Sequence, residues 1–192
     1  MAELDELDYW VALHGAPEMG PVVFRRLLDR FGSCRVILEE TERNDLAAVR
    51  GMTAERIEGV MHARSGLDHA RKLLDTLRRA GVRALRMTDA DYPAALQELP
   101  NPPPLIYLFG DIQAQDRRAV AMVGTTKPSG KGRAIAEQLA ARLAGKGVTV
   151  VSGFAHGVDA AAHRGAFNGG GRSILCIPFG IRQFRPRPDF PP

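Results

Sequence analysis

Residues 120–181 read VAMVGTTKPSGKGRAIAEQLAARLAGKGVTVVSGFAHGVDAAAHRGAFNGGGRSILCIPFGI. Short apolar runs alternate with amphipathic stretches in the order strand, loop, helix, strand, loop, helix, strand. Both loops that follow a strand and open a helix are built largely from Gly, Ser and Thr. In an open parallel sheet such loops form a ligand crevice, because helix N-termini there offer unpaired N–H groups and the positive end of the macrodipole to an anion. The expected fold class is therefore α/β with a Rossmann-like parallel sheet. The functional question is which phosphate-bearing molecule the crevice takes.

The first loop, GTTKPSGKG at 124–132, does not fit the familiar phosphate cradles. A Walker A loop needs four residues between its glycine and the Gly-Lys pair and then Ser or Thr for magnesium; here five residues separate Gly124 from Gly130, and Gly132 follows Lys131. A dinucleotide site lacks its G-x-G-x-x-G, and VTVV ends in Ser152 where an acidic residue would hold a ribose. What remains is a loop of small residues: Gly124, Thr125, Thr126 and Gly130 supply backbone amides, Lys127 and Lys131 supply charge, and Ser129 is an N-cap or phosphate donor.

The second loop, SGFAHGVDAAAH at 152–163, adds Ser152, Gly153, His156 and Gly157 to the candidate phosphate contacts. Gly153 and Gly157 permit a tight turn onto a helix that begins near Val158. Asp159 falls in its first turn and His163 one turn later on the same face. A bare His156, Asp159 and His163 trio has no specific ligand spacing, so no metal or other cofactor is expected. Asp159 is expected to hold His163 or the loop backbone, with His156 facing the crevice. Glu137 and Asp159 are the only carboxylates between residues 120 and 181, which leaves little for acid–base catalysis.

Charge follows the same division. Residues 1–116 carry 14 Lys/Arg against 19 Asp/Glu, whereas residues 117–192 carry 12 against 3. The positive field thus lies on the segment with the phosphate-type loops, which points to a polyanionic partner. Cys34 and Cys176 match no metal spacing and read as buried thiols in a reducing compartment. No apolar run reaches the length of a membrane span, and MAELDELDYW is acidic where a signal peptide is basic. A soluble, cytoplasmic protein with no membrane partner is expected.

Upstream, residues 1–80 read as a helical domain, with helices over LDYWVALHG, VVFRRLLDRFG and ERIEGVMHARSGLDHARKLLDTLRRAG, and Gly32 and Gly81 at C-cap positions. APEMGPVVFRRLLDRF and VRGMTAERIEGVMHAR share a pattern, a tight turn centred on Met19 or Met52 followed by an amphipathic helix. Paired helix-hairpin-helix units in small SAM-like domains look this way. Glu18 and Thr53 stand where such turns carry glycine, which favours a packing or protein-docking role over DNA contact by the hairpins. The runs at 82–87 and 105–109 read as strands expected to join the parallel sheet, with PNPPP at 100–104 as a stiff turn and the second domain spanning 81–192.

These motifs together resemble the DNA-processing DprA/Smf family. The resemblance is carried in order by PEMGP at 17–21, FGS at 31–33, DADYP at 89–93, PLIYLFG at 104–110, VGTTKPSGKG at 123–132 and SGFAHGVDAAAHRGAFNGGGRSI at 152–174. It implies an extended Rossmann-like fold that binds single-stranded DNA without catalysis and helps load the RecA recombinase during natural transformation. It also implies a homodimer. The departures touch the proposed site. Thr125-Thr126 replace a family Ser-Arg, Lys131 replaces Tyr, and His156 replaces the arginine of Ala-Arg-Gly. Lysine supplies charge at such a place with less geometric control than arginine. The quoted chain stops at RPRPDFPP, and the resemblance implies a further basic motif, the rest of the sheet and the self-association surface beyond it, so the Rossmann-like domain is expected to be incomplete. Two other readings stay open on the residues: a nucleotide-binding enzyme related to phosphoribohydrolases, whose P-G-G-x-G-T-x-x-E signature is not found, and a degenerate interaction protein that has lost DNA binding.

Overall fold

The structure, a computed structural model, describes residues 4–180, 183–185 and 187–191. The chain forms two compact units, residues 1–112 and 113–192.

In the first unit six helices run in succession, α1 (Glu6–His14), α2 (Pro21–Phe31), α3 (Cys34–Glu39), α4 (Arg43–Ala47), α5 (Ala54–Ser65) and α6 (Leu67–Arg79). Local chemistry sets their ends. The Asp5 carboxylate caps α1 by accepting from the Leu7 and Asp8 amides, and the Asp8 side chain answers on the Asp5 amide. Gly32 ends α2 at φ 86°. The long helical reading across 55–80 divides at Gly66, which closes α5 and opens α6. Leu13, Phe24, Leu27, Ile37, Leu38, Leu46 and Val60 are buried in one core, with the Trp10 ring centroid 5.1 Å from that of Phe24.

The two tight turns lie side by side. Arg56 donates from Nε to the Glu18 carbonyl at 3.1 Å and from Nη1 to the Gly51 carbonyl at 2.5 Å. Glu18 at φ 53° and Gly51 at φ 96° both adopt the left-handed conformation, so the repeated turn holds even where the first glycine is absent.

β1 (Val82–Arg86), the short helix α7 (Ala94–Gln97) and β2 (Leu105–Phe109) complete this unit. Both strands occur where the sequence placed them, but they pair antiparallel with each other, from Val82 opposite Phe109 to Arg86 opposite Leu105, and do not join the parallel sheet. The reason is local. Leu105 is buried with Val11, Ala70 and Leu74 from α1 and α6, so the ribbon closes the helical core and the compact unit extends to Ile112 rather than ending near Gly81.

The second unit opens with a 3-10 turn (Ala114–Arg117) and continues β3 (Ala119–Ala121), α8 (Gly130–Ala144), β4 (Thr149–Ser152), α9 (Val158–Asn168) and β5 (Ser173–Leu175). The strands form a parallel sheet in chain order β3-β4-β5. Crossovers of one hand between strands in this order put both helices on one face, where α8 and α9 pack against each other. At the N-terminal edge Asp116 holds the strands together, its Oδ1 accepting from Thr149 Oγ1 and Arg172 Nε, both at 2.7 Å. Burial pushes the Asp116 carboxyl up, but the hydrogen bonds from Arg172, the Gln113 amide and Thr149 outweigh it and hold the pKa below its ordinary value.

Helices α8 and α9 meet through small residues. Ala136, Ala140, Ala144, Ala161, Ala162 and Ala166 are buried between them and the sheet. A Cβ on Gly165 would lie 2.2 Å from the Glu137 carbonyl oxygen, so the backbones themselves touch. Cys34 is buried, and burial pushes its thiol pKa up; Cys176, expected to be buried as well, is exposed just beyond β5. Among the described residues no helix is long and apolar enough to cross a membrane.

Candidate functional site

The loops after β3 (residues 122–129) and after β4 (residues 153–157) interlock through their backbones. The Val158 amide donates to the Thr125 carbonyl at 3.2 Å. Gly157 has φ 83°, and a Cβ there would sit 2.4 Å from Thr125 O and 2.7 Å from Thr126 O. Only glycine satisfies both the dihedral and the close approach. The conformational freedom expected of Gly157 is therefore used, and its near neighbour is the first loop.

The first loop presents an open edge. Gly124, Thr125, Thr126, Lys127, Ser129, Gly130 and Lys131 are all exposed. Thr125 Oγ1 accepts from the Lys127 amide at 3.1 Å, turning the chain back on itself. Ser129 Oγ accepts from the Gly132 amide at 3.1 Å, so of its two expected roles it fills that of N-cap to α8. Among the described residues the Lys127 and Lys131 ammonium groups have no hydrogen-bond or ion-pair partner in the chain. Two cations at a helix N-terminus with no internal anion form a positive, solvent-facing edge.

The second loop differs from expectation. Ser152, read as a phosphate contact, is buried and donates from Oγ to the Met122 carbonyl at 2.6 Å, tying β4 to the end of β3. The Gly153 carbonyl accepts from His163 Nε2 at 2.9 Å. Asp159 Oδ2 accepts from the Ala155 amide at 3.1 Å, so of the two roles expected for it Asp159 holds the loop backbone. His163 is buried with Nδ1 2.6 Å from Ser173 Oγ. Burial lowers its pKa; the ring bridges the Gly153 carbonyl and the Ser173 hydroxyl, which itself donates to the Val150 carbonyl at 3.0 Å. With the Val158 amide bound to Thr125 and Asp159 in the first turn, α9 does not offer an anion the open end that α8 does. Of the predicted residues in the second loop, His156 alone presents an exposed side chain, 72% accessible.

Residues 184, 185 and 187–190 return over this loop and were not singled out from sequence. Phe154 is surrounded by Phe179, Phe184 and Phe190, with ring centroids 5.9, 5.0 and 4.6 Å away. The Arg187 guanidinium lies 4.7 Å from the Phe154 centroid and 4.8 Å from that of Phe190, and its Nη1 donates to the Phe154 carbonyl at 2.7 Å. The Asp189 carboxylate takes Arg187 Nη2 at 2.6 Å and Nε at 3.1 Å, and its Oδ2 lies 2.8 Å from His156 Nδ1. Arg187 first, then His156, hold the Asp189 carboxyl down at about 2 against the opposing effect of burial. The sequence signal was the mixture of Phe and Arg in FRPRPDF. Among the described residues no group of three or more His, Cys, Asp or Glu could hold a metal ion.

An α/β unit with a parallel three-stranded sheet and a cationic small-residue loop over the strand ends is the class of protein that fold and site define. The chain belongs to the DNA recombination-mediator protein A family, which it matches over residues 83–189. It is 30% identical over 188 residues to "Protein Smf" of Synechocystis sp., covering 94% of this chain and 46% of that relative. It is 28% identical over 117 residues to "DNA processing protein DprA" of Bacillus subtilis, covering 60% of this chain and 39% of the relative. The X-ray structure of DNA processing protein A from Streptococcus pneumoniae shares the fold at a TM-score of 0.70 and 22% identity, covering 94% of this chain and 60% of that one. The chain thus spans less than half the length of these two curated relatives.

Proposed function

We propose that the chain binds single-stranded DNA along the first loop and the N-terminus of α8, as a cytoplasmic DNA-processing protein that assists RecA loading and recombination in natural transformation. The observation that carries this reading is the exposed edge at residues 124–131, where amides and two lysines without a partner among the described residues face solvent on the strongly basic half of the chain. Such groups contact backbone phosphates, which position a strand without reading its bases. No catalytic step is assigned to the site. Glu137 is engaged by Asn168 and Arg164, and Asp159 by the Ala155 amide, so neither carboxylate stands free as an acid or base over the loop.

Titration with fluorescent single- and double-stranded oligonucleotides across a salt series tests it. Single strands should bind preferentially, with a log-log salt slope of about −0.7 for each phosphate neutralised. Replacing Lys127 and Lys131 together with glutamate should weaken binding roughly a hundredfold, about 2.8 kcal/mol. Stability should stay within about 0.5 kcal/mol, since both side chains are exposed. Salt-insensitive binding, or full affinity in the double variant, would place the site elsewhere.

A further inference from the structure

We infer that Asp189 and Phe190 form an internal mimic of one nucleotide, and that the surface they cover is a subsite where a DNA base stacks on Phe154 and its phosphate rests on Arg187 and His156. The inference deepens the single-stranded DNA reading and rests on it.

Three observations converge. Phe154 follows Gly153 in the loop that interlocks with the lysine-bearing first loop, and its ring is engaged by the Phe190 ring at 4.6 Å and 49°. An aromatic face beside a basic loop is the platform on which single-stranded nucleic acids stack their bases, largely regardless of sequence. The residue before Phe190 places its carboxylate on a group that suits a phosphate, Arg187 through two nitrogens, with His156 Nδ1 beside both, 2.8 Å from the carboxylate and 2.6 Å from Arg187 Nη2. A ring and an anion on adjacent residues are the two recognition elements of a nucleotide. Finally, the mimic is carried by a short turn with the Phe190 amide on the Arg187 carbonyl at 3.1 Å. Between residues 183 and 191 the described residues form no strand or α-helix whose loss would oppose displacement.

Arg187 has its own anchor, because Nη1 donates to the Phe154 carbonyl. An incoming phosphate can therefore replace the Asp189 carboxylate on the remaining guanidinium nitrogens, and a base can replace the Phe190 ring, without new cations being assembled. The loop lysines then hold neighbouring phosphates of the same strand.

The experiment compares the full chain with Asp189→Asn, Phe190→Ala and Phe154→Leu on oligo-dT and on an abasic strand of equal length and charge. Glu137→Gln measures the general effect of removing one acidic charge from this unit. Asp189→Asn should tighten binding to both strands at least threefold beyond that control. Phe190→Ala should tighten oligo-dT more than the abasic strand. Phe154→Leu, which keeps an apolar side chain in the loop, should weaken oligo-dT roughly tenfold, the scale of one lost stack, and leave the abasic strand unchanged. Unchanged or weaker binding in both Asp189→Asn and Phe190→Ala, or a Glu137→Gln gain equal to that of Asp189→Asn, overturns the mimic. If the unaltered chain binds with the expected salt slope while these variants have no effect, only the mimic fails. If no protein in the set binds any strand, the DNA reading fails and the mimic with it.

Discussion

The first unit is held by large side chains and the second by small ones. Phe24, Leu13, Leu27, Ile37 and Leu38 fill the helical core. Between α8, α9 and the sheet the buried residues are mostly alanine, and a Cβ added at Gly165, Gly169 or Gly171 would lie within 2.6 Å of a neighbouring helix atom. A core of bulky residues tolerates the addition of little and suffers from removal, since each deleted group leaves a cavity. A contact made backbone to backbone has almost nothing to remove and no room to add. Closely packed helices hold the two loops of the second unit in a fixed spacing.

The largest effect should come from emptying the first core. Phe24→Ala is expected to cost about 4 kcal/mol. The chain has one tryptophan, Trp10, beside Phe24, so denaturant unfolding followed by its fluorescence reads this unit directly. A loss under about 1 kcal/mol would mean that the helices can collapse onto the space and that the unit is not held by side-chain volume.

Adding atoms is the matching test in the second unit. Gly165→Val must push α9 off the Glu137 carbonyl and Ala140 and is expected to cost about 3 kcal/mol, read as faster amide exchange along α8 and α9. Because the loops are joined through Val158 and Thr125, DNA binding should fall with it. Near-normal exchange would show that the helices stand farther apart than described.

The same contrast explains what the sequence could disclose. In the second unit Gly and Ser clusters punctuate each strand and helix, so the order of elements from residue 119 to 175 was legible. In the first unit the short helices α3 and α4 were not singled out, since six and five residues hold too little periodicity to register. The strands at 82–86 and 105–109 were visible as apolar runs, but alternation says nothing about the partner, and Leu105 chose the helical core. At the site, the Ser129 cap was legible because it acts through local chemistry, and Lys127 and Lys131 are exposed beside it. Ser152 was read as a phosphate contact because it opens the glycine-bearing loop sequence, whereas its hydroxyl crosses to Met122, thirty residues away. The packing of Phe184, Arg187 and Phe190 on Phe154 is a tertiary event with no periodic signature.

The smallest expected effect separates the units by pH. Each holds a histidine whose pKa burial lowers from the ordinary 6.5, His14 in α1 and His163 in α9. Such a group binds fewer protons folded than unfolded, so stability rises with pH through 6.5 and is lost below it, down to the folded-state value. One histidine can contribute at most about 1.4 kcal/mol per pH unit in that window. Asp116 acts in a separate one, since its lowered pKa means that its contribution is lost only as the pH falls below the ordinary 3.8. His163→Gln should therefore flatten the dependence between pH 7 and 5 in the second unit, measured by amide exchange, and leave the Trp10 transition of the first unit unchanged. It should also lower stability at pH 7, because His163 bonds both the Gly153 carbonyl and Ser173. His14→Gln should flatten the Trp10 transition alone, and its cost at pH 7 should be smaller, since His14 meets the core by ring contact with Phe24 rather than through paired hydrogen bonds. If His163→Gln leaves the pH slope of the second unit intact, the imidazole is not the group that must stay neutral to hold the loop carbonyl, and the loop owes its shape to Asp159 and the glycines.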